Sequence, residues 1–315
     1  MSVRKKEVSV GNESKDSGER HTASGMPASA PVLPSRFQIS MPLAPGGEKQ
    51  GRWREKRDQL RDYISQHPVE EISREELDAH FDGMPPRYWE QVDESELAWS
   101  LQNIHRFLYG VVASPRADTP VVVNWRYFPE QGYTKVLICT WDRAGLLAKI
   151  AGYISALQLN AVRAEVYTRP DNLVLDFFWL CNAEQQHASD PDRLQQFVFL
   201  LEGGMSESPT FASTWALETH KFLPRTNRIT PTVTFNNEDS PEQTILTVEA
   251  SERPGLLYDM LQVLIEHKLS ISEALIDTAD DRAHDVFFVT DEHRKKLLSP
   301  DPLKKIEQAL IEAVM

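Results

Sequence analysis

The sequence predicts an α+β fold in which one small unit occurs twice in tandem, and three observations carry that prediction. The stretch "WDRAGLLAKI", Trp141 to Ile150, returns as "SERPGLLYDM", Ser251 to Met260, 110 positions later. The hydrophobic period is helical before about residue 120 and alternates between strand and helix after it. The two later halves also run through the same series of elements in register.

Taken in order, residues 1–50 are rich in Ser, Pro, Gly and charge and poor in aromatics. Such a segment cannot bury enough apolar area to offset the entropy of ordering, so a disordered N-terminal tail is expected. Residues 51–118 read as a short helical arm or linker. "GRWREKRDQLRDYISQH" places Trp53, Leu60, Tyr63 and Ile64 on one stripe, and Pro68 ends it. Ser73 followed by Glu76 has the spacing of a capping box. Leu97, Leu101, Ile104, Leu108 and Val111 recur at helical spacing behind a possible Asp93 cap. Three such helices make too small a core of their own and are expected to pack on something else.

Residues 119–225 form the first unit. "VVVNWRYF" and "YTKVLICTW" are strands and "RAGLLAKIAGYISALQ" is a helix. "NAVRAEVYTR" and "NLVLDFFWLCN" are strands joined by "PDN"; a helix from Pro191 to Gly203 and Gly204 follows, then an expected strand in "TWALETHKFL". The order is β-α-β-β-α-β. It returns in residues 226–315, where "RITPTVTFNN" is the natural fourth strand. At an offset of 110, Arg143 aligns with Arg253, Gly145 with Gly255, Leu159 with Leu269, Ala164 with Ala274 and Thr168 with Thr278. After one deleted residue Asp176 aligns with Asp285 and Phe178 with Phe287. With both helices on one face, a single unit leaves its other sheet face uncovered, so the copies are expected to pair edge to edge or face to face, in the chain or across a dimer.

Composition bounds the function. A formal net charge of −13 gives no general attraction to nucleic acid or an anionic membrane surface. No apolar run approaches the roughly 20 residues that span a bilayer, and no apolar stretch follows the early positive charges as a secretory signal requires. The two cysteines, Cys139 and Cys181, lie in apolar runs without CxxC or paired-His spacing. They read as buried free thiols of a cytoplasmic protein, near neighbours if their strands are adjacent and parallel.

The repeated turn is the candidate site. A strand, an acid, Arg, Ala or Pro, Gly and then a helix place unpaired N–H groups where a carboxylate is attracted, and Pro254 suits a first helical position. A small amino acid could present its carboxylate there and its ammonium to acceptors from the other unit. The alternative is structural: Gly and Pro shape the turn, and the charged residues are solvated.

The turn, the element order and the duplication together resemble ACT domains, ferredoxin-like units that bind amino acids at unit interfaces. "MPPRYW", "TPTVTFNNEDSPEQTILTVEASERPGLLYDML" and "ISEALIDTADDRAHDVFFVTD" further resemble the C-terminal third of bacterial uridylyltransferase/uridylyl-removing enzymes, over roughly Phe81 to Met315. The resemblance implies two ferredoxin-like βαββαβ (ACT) units in tandem, glutamine as ligand and a protein partner in nitrogen signalling. By position it implies ligand contacts at Asp142, Arg143, Ala144, Gly145 and Leu146, and at Glu252, Arg253, Pro254, Gly255 and Leu256. Asn160 and Ser270, where the second strand of each unit starts, are implied as further contacts. Ala144 departs from the usual Pro, which makes the two copies unequal.

Catalysis is not expected. Nucleotidyl transfer needs a Gly-Ser turn and closely spaced carboxylates to hold magnesium, and the region before Phe81 offers neither. The His284-Asp285 pair sits in a strand and aligns with Leu175-Asp176, so it reads as a strand coincidence rather than an HD metal site. No cofactor or metal is expected. The leading reading is a non-catalytic regulatory module for a small amino acid, with possible homo-oligomers through its sheets. The alternatives are an interaction or assembly module without ligand, and a truncated uridylyltransferase with residual activity.

Overall fold

The capping and period signals place four helices first. In the computed structural model these are α1 (Lys49–Gln66), α2 (Arg74–Gly83), α3 (Pro86–Gln91) and α4 (Glu94–Ala113). The structure describes residues 49–113, 120–182, 191–204, 229–279 and 281–315, all within Val32–Met315. The tail expected at 1–50 falls almost wholly outside them. The capping box forms: Ser73 Oγ accepts from the Glu76 N–H at 3.1 Å, and Glu76 Oε2 accepts from the Ser73 N–H at 2.8 Å. Asp93 Oδ1 likewise accepts from the Glu96 N–H at 2.8 Å, and α1 stops two residues before Pro68. Tyr63 leaves the predicted stripe; it is exposed and stacks on His67.

Unit 1 comprises β1 (Val121–Phe128), β2 (Tyr133–Trp141), α5 (Leu146–Ala156), β3 (Leu159–Thr168), β4 (Leu173–Asn182) and α6 (Pro191–Gly204). Unit 2 comprises β5 (Thr232–Asn236), β6 (Thr244–Ser251), α7 (Leu256–Glu266), β7 (Ser270–Ala279), β8 (Arg282–Thr290) and α8 (Pro300–Val314). The strand order β1-β2-β4-β3 within unit 1 is repeated as β5-β6-β8-β7 in unit 2. This is the ferredoxin-like arrangement, with its outer strand supplied from the front of each unit. The described order is therefore ββαββα rather than βαββαβ. An antiparallel edge strand can be reached from either end of its neighbour, and a three-residue 3-10 turn, Pro129–Gln131, closes the β1–β2 hairpin directly. The strand expected in "TWALETHKFL" lies outside the described residues.

The units join edge to edge. β3 and β7 pair antiparallel from Arg163 opposite Asp277 to Tyr167 opposite Glu273, giving one eight-stranded antiparallel sheet. Helices α5 to α8 share one face of it over a core that includes Ile150, Phe178, Phe197, Leu264, Phe287 and Leu310.

The arm covers the other face of unit 1. Alternation along β4 sends Leu173, Leu175, Phe177 and Trp179 to that side, where they meet Phe81, Tyr88, Trp89, Leu97 and Phe107. Trp89 is fully buried and stacks on Phe81 at 4.8 Å. Burial pushes the His80 imidazole down to about 3, so it stays neutral, with Nε2 3.1 Å from the Tyr88 hydroxyl. Lys135 pairs with Glu96 and lies 4.1 Å over Trp179. Arg87 reaches unit 2, pairing with Glu273 at 3.5 Å and covering Phe288 at 4.1 Å.

The two cysteines are not neighbours. β2 and β4 are adjacent but antiparallel, and Cys139 lies opposite Leu175, six residues from Cys181 along β4. Both are free and buried, and burial raises both thiols, Cys181 to about 12.

Candidate functional site

The repeated motif builds a type II turn in both copies. Its first carbonyl, on Arg253, accepts from the Leu256 N–H at 3.1 Å, and Gly255 has φ 82° and ψ −2°. In unit 1, Arg143 O accepts from the Leu146 N–H at 3.1 Å, and Gly145 has φ 74° and ψ 9°. The third position of this turn demands positive φ and hence glycine, while the second favours Pro but accepts Ala. That explains "Arg-x-Gly-Leu" and shows that Ala144 does not change the turn. The helices start two residues later than the motif suggests: Gly255 is the N-cap of α7, so Pro254 precedes the cap instead of occupying a first helical position.

The two copies part company in what surrounds the turn. In unit 2 Glu252, Arg253, Gly255, Leu256 and Leu257 line a narrow cleft of about 20 Å³, partly open to solvent. The opposite wall comes from unit 1: Ala151, Ile154 and Ser155 on α5, with Asn160 and Ala161 at the start of β3. Ile276 and Asp285 close its floor. The structure thus brings Glu252, Arg253, Gly255, Leu256 and Asn160 together across the unit boundary.

At the offset of 110, the positions equivalent to Ala151, Ser155 and Ala161 hold Leu261, Ile265 and Ile271. Of these larger groups Ile265 faces the first turn; a Cβ built on Gly145 would meet its Cδ1 at 3.5 Å. Gly145 therefore meets an apolar side chain where Gly255 lines a cleft with small and polar ones, while Arg294 acts on Asp142 and Arg143 donates to Thr140 Oγ1 at 3.5 Å. Leu146, like Leu256, belongs to the core below the helices. Ser270 is exposed at the start of β7 and is not among the residues of the cleft.

The charges of the second turn are already arranged. Arg253 donates to Ala313 O at 2.7 Å and pairs with Asp259 at 2.5 Å, which ties its guanidinium to the end of α8, and its charge also lowers Glu252. Glu252 accepts from the Thr278 hydroxyl at 3.1 Å, and the Asn160 side chain hydrogen-bonds it from unit 1. Burial raises Glu252 to about 7. In the first turn, burial raises Asp142 and lowers Arg143, whose Nε is buried without a hydrogen-bond partner.

Asp285 is the residue the sequence reading set aside. It forms no metal site: among the described residues no group of three or more His, Cys, Asp or Glu is placed to hold an ion. It is 1% exposed, nevertheless, and its Oδ1, at the cleft floor, has no hydrogen-bond partner. Its equivalent, Asp176, is as deeply buried with both oxygens unpaired. The signal was present in the sequence, as one acid recurring at an inward position of an otherwise apolar strand in both copies.

Burial raises both aspartates well above the usual carboxylate range. A carboxyl whose folded value is raised stabilises the fold fully below its unfolded value near 4, and that contribution is lost as pH rises toward the folded value. Asp176→Asn is therefore expected to stabilise the fold more at pH 8 than at pH 5, by about 1–3 kcal/mol at the higher pH. Melting curves at the two pH values test this, and an equal gain at both sinks it.

Residues 239–315 match the model of the ACR family N-terminal ACT domain. The chain is 29% identical over 241 residues to the bifunctional uridylyltransferase/uridylyl-removing enzyme of Gluconobacter oxydans (strain 621H), covering 76% of this chain and 25% of that protein. It is 29% identical over 258 residues to the enzyme of the same name from Azospirillum brasilense, covering 81% and 26%. The chain thus spans about a quarter of the length of the curated relatives it matches. Among solved structures, aspartate kinase from Synechocystis aligns over 58% of this chain and 28% of its own at 16% identity, with a TM-score of 0.34. Among the described residues no helix is long and apolar enough to cross a membrane.

Proposed function

We propose that this chain, with an ACT-type second unit and a likeness to uridylyltransferase/uridylyl-removing enzymes, is a regulatory module that binds one small amino acid in the cleft between its units. The supporting observation is the cleft itself. The N-terminal turn of α7 in unit 2 faces Asn160 and Ser155 of unit 1, so a ligand seated there touches both units. A helix N-terminus favours a carboxylate, and Gly255 lets it approach the backbone closely. The nearby carboxyls suit an ammonium. Of the two turns, the one at Glu252 to Leu256 is the working site. Beside the other, Ile265 stands against Gly145 where Ser155 lines the cleft here.

Glutamine is the favoured ligand because of the likeness to enzymes of nitrogen control, and a protein of that system is the favoured partner for the signal. The chain's role is regulatory and not catalytic. A thermal-shift panel of the twenty amino acids on the full chain tests the reading. Glutamine at about a hundred times its dissociation constant should add about 2.7 kcal/mol of stability. A folded protein whose melting temperature moves with none of the twenty at millimolar concentration overturns it.

A further inference from the structure

The cleft contains more acid than its fold requires. Glu252 and Asp285 both border it, one on the turn after β6 and the other on β8, and the cationic residue of the lining is Arg253, whose charge lowers Glu252. The guanidinium next along the chain, Arg253, is committed to Asp259 and Ala313 O. The elements packed around the two acids supply few other charges. α5 contributes only Ala151, Ile154 and Ser155 to the cleft, and β3 contributes Asn160 and Ala161. β7 adds Asp277, opposite His284 in the ladder, and β4 adds the thiol of Cys181. After burial, the Glu252 charge raises Asp285 most, the Asp277 backbone N–H lowers it by more than the Asp277 charge raises it, and Arg163 and His284 act on Asp277 in turn. The field at Asp285 is therefore acidic, and a buried carboxyl in such a field holds its proton until a cation arrives.

We infer that Glu252 and Asp285 form the amine-recognition end of the cleft, that they select ligands carrying a protonated primary amine, and that binding such a ligand releases a proton from the pair to solvent. The inference rests on the amino-acid reading of the cleft and adds which end of the ligand is discriminated. The ammonium replaces the proton: the ligand enters as R–NH3+, one carboxyl becomes a carboxylate beside it, and one H+ leaves, so charge and atoms balance. Asp285 Oδ1, the buried oxygen without a partner, receives one ammonium hydrogen. Glu252, already held by Thr278 and Asn160, receives another. Because Glu252 lies at about 7 and Asp285 is raised well above the usual carboxylate range, the empty pair still carries a proton at neutral pH for the ammonium to displace. Affinity accordingly rises with pH for as long as the empty pair keeps that proton, by at most about tenfold per pH unit for one proton. In the first copy the equivalent Asp176 is not among the residues lining this cleft, which makes it an internal control.

The test is isothermal titration of the full chain with L-glutamine, N-acetyl-L-glutamine and methylamine, in phosphate and in Tris at pH 7. It is run on wild type, Asp285→Asn, Glu252→Gln and Asp176→Asn, with folding followed by circular dichroism. Glutamine should bind wild type and Asp176→Asn alike, with heats that differ between the buffers by the ionisation enthalpy of the released proton. N-acetyl-L-glutamine should fail, and each of the other two variants should bind glutamine about thirtyfold or more weakly, without the buffer-dependent heat. Equal affinity for the acetylated ligand, unchanged binding in both folded cleft variants, or identical heats in the two buffers overturns the inference and leaves the amino-acid function standing. Methylamine binding that Asp285→Asn abolishes, with no response to glutamine or the other amino acids, does the reverse. If neither glutamine, any other amino acid nor methylamine binds, both fall.

Discussion

Replacing Trp89 with alanine is expected to lower the stability of the chain by about 3–5 kcal/mol, the range for truncating a buried aromatic. Trp89 is fully enclosed, stacked on Phe81, edge-on to Tyr88 and His80, and its indole N–H donates to Met84 O at 3.3 Å. Tyr88 in turn meets Tyr167 of β3 edge-on at 5.4 Å, so the lost volume lies where the arm touches the sheet. The surroundings are aromatic and cannot collapse into the space, which puts the cost near the top of the range. A fall in melting temperature of about 6–20 °C follows for a domain of this size. Val112→Ala, at an exposed position of α4, is the comparison and should stay within about 0.5 kcal/mol. Thermal melts of the two variants check this. If Trp89→Ala matches Val112→Ala, the arm is not part of the folded core.

The second large effect concerns the turns. Gly255→Val places a β-branched side chain at φ 82°, costing about 1–3 kcal/mol in backbone strain, and pushes it toward the cleft. The stabilisation that glutamine confers should disappear, with unit 2 still folded. Gly145→Val carries the same strain at φ 74° and should cost a similar amount. It should leave the glutamine response in place, because Gly145 faces Ile265 and not the cleft. The measurement is the ligand-induced shift in melting temperature for both variants. Loss of response in Gly145→Val alone would move the working site to unit 1, and loss in both would mean that both turns bind.

The duplication was legible because it is a property of sequence alone: "DRAGLL" and "ERPGLL" share a register that runs on through strands, helix and turn. The ferredoxin-like sheet follows from that register, and the caps at Ser73 and Asp93 follow from local hydrogen bonding. How the units join was not legible. Residues 163–167 and 273–277 read as strands of alternating pattern, and nothing in either says which edge meets which. The cleft was half visible for the same reason. Asn160 and the turn at Glu252 were both in the reading, but their meeting depends on the β3–β7 pairing. Asp285 was passed over because its neighbour, His284, drew attention to metal chemistry. Ala144 was weighed as a difference in binding, whereas the difference lies on the facing helix, in Ser155 against Ile265.

The pairing of β3 with β7 also limits how the molecule can respond to anything bound between its halves. Two domains tethered by a linker can swing apart, and a ligand works by clamping them. Here the halves share main-chain hydrogen bonds from Arg163 to Tyr167, and opening that seam would strip them and bare two strand edges. Separation is thus as costly as local unfolding. Arg87, on the arm and leaning on Glu273 and Phe288, adds a side-chain tie between the arm and unit 2. Whatever binds between the halves therefore meets a continuous sheet and not a hinge.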